Sequence, residues 1–134
     1  MGAWSHEPFG NDEANDWAYE LEETEDLSHV EAALDTVLKT AGYLEASEAS
    51  CGVAAVEVIA KLLGRGTQSD AYTEKVDHWA KNIRAKPSAT LVEKAKRVLD
   101  RVRGEQSELS ELWHEGDASE WEASLDSLRA AIST

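Results

Sequence analysis

Cysteine is nearly absent from this chain. Cys51 is the only one, so no intrachain disulfide can form. Beside apolar neighbours it reads as a small core residue rather than a nucleophile. Long apolar runs are missing too. The longest, Cys51 to Ala60, is broken by Glu57 and is far shorter than the roughly 20 residues a membrane helix requires. The first residues have neither a basic start nor an apolar stretch, so no secretory leader is expected. Gly2 lacks the Ser or Thr at position 6 that myristoylation favours, because His6 stands there. These absences predict a cytoplasmic protein with no membrane association. At 134 residues the chain is long enough to bury roughly two-thirds of its unfolded surface. Residues 1–134 are therefore read as a single helical domain that folds without a disulfide or metal staple.

Basic residues are scarce and confined. The formal net charge is −14. Residues 1–60 hold 14 acids and one base, Lys39, whereas residues 61–103 hold 11 bases and 5 acids. Residues 104–134 return to 8 acids and one base, Arg129. Such a chain repels nucleic acid and anionic membranes over most of its surface. Two readings of the unevenness remain open. The middle segment can pair internally with its flanks, or an acidic face can dock a basic partner.

Period-two alternation is absent, and with it any expectation of a β-sheet. What is present is legible helix punctuation. Asn11-Asp12 can cap a helix from about Glu13 to Glu23, with Trp17 and Leu21 on one face and a fraying acidic end. Ser28-His29-Val30-Glu31 has the form of a capping box. Behind it lies a stripe of Val30, Ala33, Leu34, Val37, Leu38 and Ala41, stopped by Gly42 in a left-handed conformation. The next helix, about residues 46–63, carries only Glu57 and Lys61 as charges after Ala49 and is apolar all round. Such a helix is the one others pack around. Gly64-Arg65-Gly66 ends it.

A fourth helix is expected from about Ala71 to Ala85, with Tyr72, Val76, Trp79, Ala80 and Ile83 on one face and Pro87 closing the segment. A fifth, capped by Ser88 or by Thr90 with Glu93, has Leu91, Val92, Ala95, Val98, Leu99 and Val102 on one side. Lys94, Lys96, Arg97, Arg101 and Arg103 occupy its other side. A short helix at about Ser107 to Glu115 and a last one capped at Asp117-Ala118-Ser119-Glu120 complete the reading. The last carries Trp121, Leu125, Leu128 and Ile132. The fold class is thus all-α: a compact bundle of about six to seven helices around the helix at 46–63, with the N-terminal aromatic segment packed on it.

Recognisable chemistry is sparse. His6, His29, His78 and His114 lack local metal spacing. Gly64-Arg65-Gly66-Thr67 lacks the ending of a phosphate loop, and no serine sits in a nucleophile elbow. No cofactor, metal or catalytic residue is assigned. Asp12, Asp16 and Glu20 fall one turn apart, which can serve weak cation binding or acid–base work but equally makes a solvated helix face. Glu57 lies in the helix that looks buried, so it must be paired or neutralised. Lys61, four residues on, is the local partner, and an intrahelical pair on the helix's one wet edge is the first reading. A core polar anchor that bonds the N-terminal loop is the second, and catalysis the third. Trp4, Pro8, Phe9 and Trp17 are crowded into an otherwise polar, acidic stretch. They either fold onto the core or form an aromatic patch ringed by acids.

Taken in order, Gly2-Ala3-Trp4, Pro8-Phe9, Asn11-Asp12, Ala14 and Asp16-Trp17 form a signature. With Gly42-Tyr43-Leu44-Glu45, the run Ala54 to Ala60, and Glu111-Leu112-Trp113 with Trp121, this signature resembles the bacterial family known as domain of unknown function 4259. Ser5 stands where the signature has glycine, and Gly10 where it has an acid. The resemblance implies a small helical bacterial cytoplasmic protein and supplies no activity. It marks Trp4, Phe9, Asn11, Asp12, Asp16, Trp17 and Glu57 as motif positions, all of which folding alone can explain.

The functional expectation is a non-enzymatic protein-binding domain, immunity- or antitoxin-like, whose partner is a basic protein. Asp12, Glu13, Asp16, Glu20 and Glu23 are the expected docking surface. The alternative is a small-ligand or hydrolytic domain in which N-terminal carboxylates converge with Glu57 in one pocket. Homo-oligomerisation through the aromatic surface is a third possibility, and the oligomeric state is left open.

Overall fold

A computed structural model describes residues 6–133. Seven α-helices lie among them: α1 (Asp12–Leu21), α2 (Ser28–Lys39), α3 (Ala46–Leu62), α4 (Glu74–Asn82), α5 (Ala89–Arg103), α6 (Glu108–Trp113) and α7 (Ser119–Ala131). A 3-10 turn, Ala71–Thr73, precedes α4. No strand occurs among the described residues. The nearest approach is an isolated parallel bridge between Leu44 and Ser107, which ties the α2–α3 connection to the start of α6.

The helix poorest in charge, α3, is the axis of the molecule. Every residue of α3 from Ala49 to Ala60 is buried except the partly buried Cys51, and α3 packs against each of the other six helices. The closest association is the triple of α2, α3 and α5. Gly52 makes it possible. A Cβ there would stand 2.7 Å from Val37 Cγ2 on α2 and 3.3 Å from Val98 Cγ1 on α5. Only a glycine lets three helices approach this closely at one point. The stripes read from the sequence are largely buried: Val30, Ala33, Leu34 and Val37 on α2, and Leu91, Ala95, Val98, Leu99 and Val102 on α5, while Leu38 and Val92 are half-buried and Ala41, beyond the end of α2, is exposed. Trp121, Leu125, Leu128 and Ile132 are likewise buried on and just after α7.

The helix ends partly depart from expectation. Asn11 does cap α1, its side chain accepting from the Ala14 amide at 2.8 Å. Ser88 caps α5 through Leu91. The Ser28–Glu31 capping box does not form. Ser28 is the first residue of α2 and donates its amide and hydroxyl to Asp26 Oδ1. Glu31 is drawn instead to Lys94 on α5 at 2.7 Å. A carboxylate two residues earlier outcompetes the serine as terminus acceptor, and a long-range cation outcompetes the local amide.

The expected helix at 71–85 is shorter and begins in a 3-10 turn, because Asp70 and Thr73 cap each other reciprocally within it. Tyr72 therefore points outward and is 55% exposed rather than sharing the face of Val76 and Trp79. Gly42 and Gly64 take the left-handed conformation, φ +80° and +81°, which favours glycine at both turns. α2 itself ends at Lys39, ahead of Gly42.

Trp4 lies outside the described residues. The part of the leader that is described lies on the core: Phe9 is fully buried and Pro8 is buried beside it. His6 reaches Glu120 on α7, Nδ1 to Oε2 3.2 Å.

Candidate functional site

Glu57 and the loop after α3 form the most elaborate polar arrangement in the fold. Glu57 is 0% exposed. Its Oε2 accepts from the amides of Thr67 (2.8 Å) and Gln68 (2.9 Å), and its Oε1 from the Thr67 hydroxyl at 2.7 Å. Lys61 Nζ lies 3.4 Å from Oε2 on the same helix face. The lysine also donates to Asp77 Oδ1 at 2.6 Å and to the Gln68 carbonyl. Asp77 in turn accepts from the Thr73 hydroxyl at 2.8 Å. Gln68 carries the chain of contacts onward: its Oε1 accepts from the Phe9 amide at 2.8 Å and its Nε2 donates to Asp70.

The sequence reading of Glu57 is thus corrected in two respects. The pair with Lys61 exists, but it is sealed inside, with the lysine side chain only 6% exposed, rather than on a wet edge. The anchor grips the loop at Thr67–Gln68 and reaches the N-terminal segment only through Gln68. No buried side-chain polar atom among the described residues is left without a hydrogen bond. The arrangement is saturated: each carboxylate oxygen already holds a cation or amide, which is how a buried charge is accommodated.

The α1 acids are placed differently. Asp12, Asp16 and Glu20 are exposed and Glu13 half-buried on a helix whose inner side buries Ala14, Trp17, Ala18 and Leu21, and Glu23 is exposed in the turn just beyond its end. Glu57 and these acids do not converge, since its two oxygens are committed to Thr67, Gln68 and Lys61. Asn11, named with them, is a buried cap.

Ion pairing sets α1 apart from α2, α3, α4, α5 and α7, each of which has at least one acid paired with a lysine or arginine. Lys94 pairs with Glu31 and Asp35 on α2, Arg103 with Glu122 and Asp126 on α7, and Arg129 with Asp100 on α5. Lys61 takes Glu57 and Asp77. Among the described residues no Lys or Arg pairs with an acid of α1. Glu20 meets only His29, at 3.8 Å, and the nearby Lys75 sits over the Tyr19 ring instead, 3.3 Å from its centroid. Eight acids and no base lie between Asp12 and Asp26.

Several grooves mark the surface. One of about 570 Å³ is lined by Glu22, Glu25, Lys75, Trp79 and Arg84 among others. A second, of about 310 Å³, lies between α1, α2 and α3, over Trp17, His29, Ala33 and Cys51. Its end wall is the Trp17 indole stacked on the His29 ring, centroids 4.8 Å apart. Cys51 is half-buried there rather than in the core. Burial, and then the charges of Glu13, Glu20, Asp16 and Glu48, push its thiol up to about 11. That leaves it protonated and unreactive at neutral pH. Sequence reasoning missed this groove because it exists only where α1, α2 and α3 meet, over small residues of α2 and α3.

Among the described residues no three His, Cys, Asp or Glu side chains are grouped to hold a metal ion. No helix among them is long and apolar enough to cross a membrane.

The fold and sequence together define a small helical domain whose chemistry is concentrated in one saturated internal anchor and one open acidic face. The sequence profile of the domain of unknown function family DUF4259 matches residues 2–124. The chain belongs to that family. The match spans the N-terminal signature, the anchor at Glu57 and the start of α7. No curated protein matches the chain. No solved structure matches it either.

Proposed function

We propose that this chain is a non-enzymatic protein-binding domain, immunity- or antitoxin-like, that works in the bacterial cytoplasm by docking a basic protein on the outer face of α1. The observation that carries the reading is the distribution of ion pairs. Glu31 and Asp35 on α2, Asp77 on α4, Asp100 on α5, and Glu122 and Asp126 on α7 each meet a lysine or arginine of the same chain, whereas Asp12, Glu13, Asp16 and Glu23 have none among the described residues. Uncompensated charge on a rigidly anchored helix steers an oppositely charged partner and fixes its orientation without needing to reorganise. The saturated contacts of Glu57 support binding over catalysis, since a carboxylate with every oxygen committed has no lone pair to offer a substrate.

The test is affinity capture from the native host with the wild-type chain and with a variant carrying Asp12→Asn, Asp16→Asn, Glu20→Gln and Glu23→Gln. The expected result is a basic protein retained by the wild type, released by raised salt and lost from the variant. Capture of nothing, or of a partner that the variant holds equally well, refutes the proposal.

A further inference from the structure

The groove between α1, α2 and α3 gives the acidic face an apolar centre, and the two together restrict what can dock. The groove is lined mainly by carbon, with Ala33 and Cys51 at its floor and Ala32 exposed at its lip. Its volume of about 310 Å³ lies at the lower end of the roughly 300–1,000 Å³ of small-molecule sites. It accommodates side chains rather than a large ligand. The rim is acidic: Glu48 lines it, and Glu13, Asp16 and Glu20 are close enough for their charges to raise the Cys51 thiol. Glu13 and Glu20 lie four and three residues from Trp17 along α1, so they border the edge of the helix at which the buried indole meets the groove. Among the described residues no lysine or arginine pairs with this rim, and His29 faces Glu20.

Resting on the proposed function above, we infer that the partner presents a basic amphipathic helix, whose aliphatic side chain fills the groove against Trp17 while its lysines or arginines meet Glu13, Asp16, Glu20 and Glu48. An apolar anchor in a pocket surrounded by complementary charge is the usual composition of an interface hot spot. Helix-in-groove recognition supplies such an anchor at every third or fourth residue.

The experiment uses two synthetic helical peptides of equal length and equal positive charge, one with leucine and the other with serine on the non-basic face. Their affinities for the intact chain are measured by calorimetry at physiological salt. The leucine peptide is expected to bind at least about tenfold more tightly, the effect of burying one aliphatic side chain. Ala32→Phe fills the exposed lip of the groove without altering charge. With circular dichroism confirming its helix content, it is expected to reduce that preference to about twofold or less. Equal binding of the two peptides to the wild type, or a preference unchanged in Ala32→Phe, overturns the groove while leaving the acidic face standing. Failure of both peptides to bind overturns the groove and the acidic face together.

Discussion

Replacing Glu57 by alanine removes the acceptor that holds the Thr67 and Gln68 amides, the Thr67 hydroxyl and one side of Lys61. The bonds are charge-assisted, each worth about 1.5–3 kcal/mol net. Their sum overstates the loss, because Thr67 is exposed and its donors can turn to water. Lys61 also keeps Asp77 and the Gln68 carbonyl. Breaking a buried pair by removing one partner destabilises by about 3–5 kcal/mol, and the lower half of that range is expected here. For a chain of this size each kcal/mol shifts Tm by roughly 3–4 °C, so the fall is roughly 9–16 °C.

Glu57→Gln separates shape from charge. One amide oxygen can still accept from both backbone amides while the Thr67 hydroxyl rotates to accept from the new NH₂. The loss should then be about 1–2 kcal/mol. Urea denaturation of the three chains measures the values. Hydrogen exchange at Phe9 tests the path, because that amide is held by Gln68, which Glu57 holds in turn. A Glu57→Ala chain within about 1 kcal/mol of wild type, or one with unchanged exchange at Phe9, refutes the anchor.

Other perturbations probe independent features. Gly52→Ala gains up to about 1 kcal/mol of helix propensity but drives a Cβ to 2.7 Å from Val37. Overpacking of about 1–3 kcal/mol should win, and chemical denaturation should show a net loss; a stabilised variant refutes the close triple packing. The Cys51 thiol, raised from 9.0 to about 11, should react with iodoacetamide at pH 8 about a hundredfold more slowly than in the unfolded chain. Its folded value is raised, so its contribution to stability is complete below pH 9 and fades as the pH climbs towards 11. Equal alkylation rates in the folded and urea-unfolded chains refute this. Asn11→Ala should lower stability by about 1 kcal/mol through loss of the cap on Ala14; thermal unfolding unchanged within error removes the cap from the account.

The features legible from sequence are those written in side chains of one element. A run from Ala49 to Ala60 with one acid identifies the buried axis, because burial excludes charge whatever surrounds it. The stripe on α7 identifies a face because its spacing matches the helical period. The failures occur where several segments compete for the same group. Ser28 has the neighbours of a capping box, yet Asp26 and Lys94 offer better partners, and Lys94 is distant in sequence. The anchor of Glu57 was partly hidden for a different reason. Its main partners are backbone amides, which every residue except proline carries, so nothing in Thr67-Gln68 advertises them. Gly52 did leave a signal, since a glycine inside an otherwise well-formed helix demands a reason. The identity of Val37 and Val98 as that reason belongs to the tertiary structure.

Charge illustrates the same division with a functional consequence. The balance of each segment is fixed by composition, but which bases meet which acids depends on the order in which helices surround α3. α5 lies between α2 and α7, so Lys94 reaches Glu31 and Asp35 on one side and Arg103 reaches Glu122 and Asp126 on the other. α1 packs on α3, α4 and α2, and the base that α4 sends towards it, Lys75, sits over the Tyr19 ring. The repulsion left among the α1 carboxylates persists because Trp17, Leu21, Ala14 and Ala18 bury the helix's other face, and apolar burial of that extent outweighs the few tenths of a kcal/mol of each i,i+4 like-charge pair. Unrelieved charge held in place by a sound core is a standing electrostatic force towards any cation that fits. The groove beside Trp17 lies along it, and so the apolar part of a partner has a place to go.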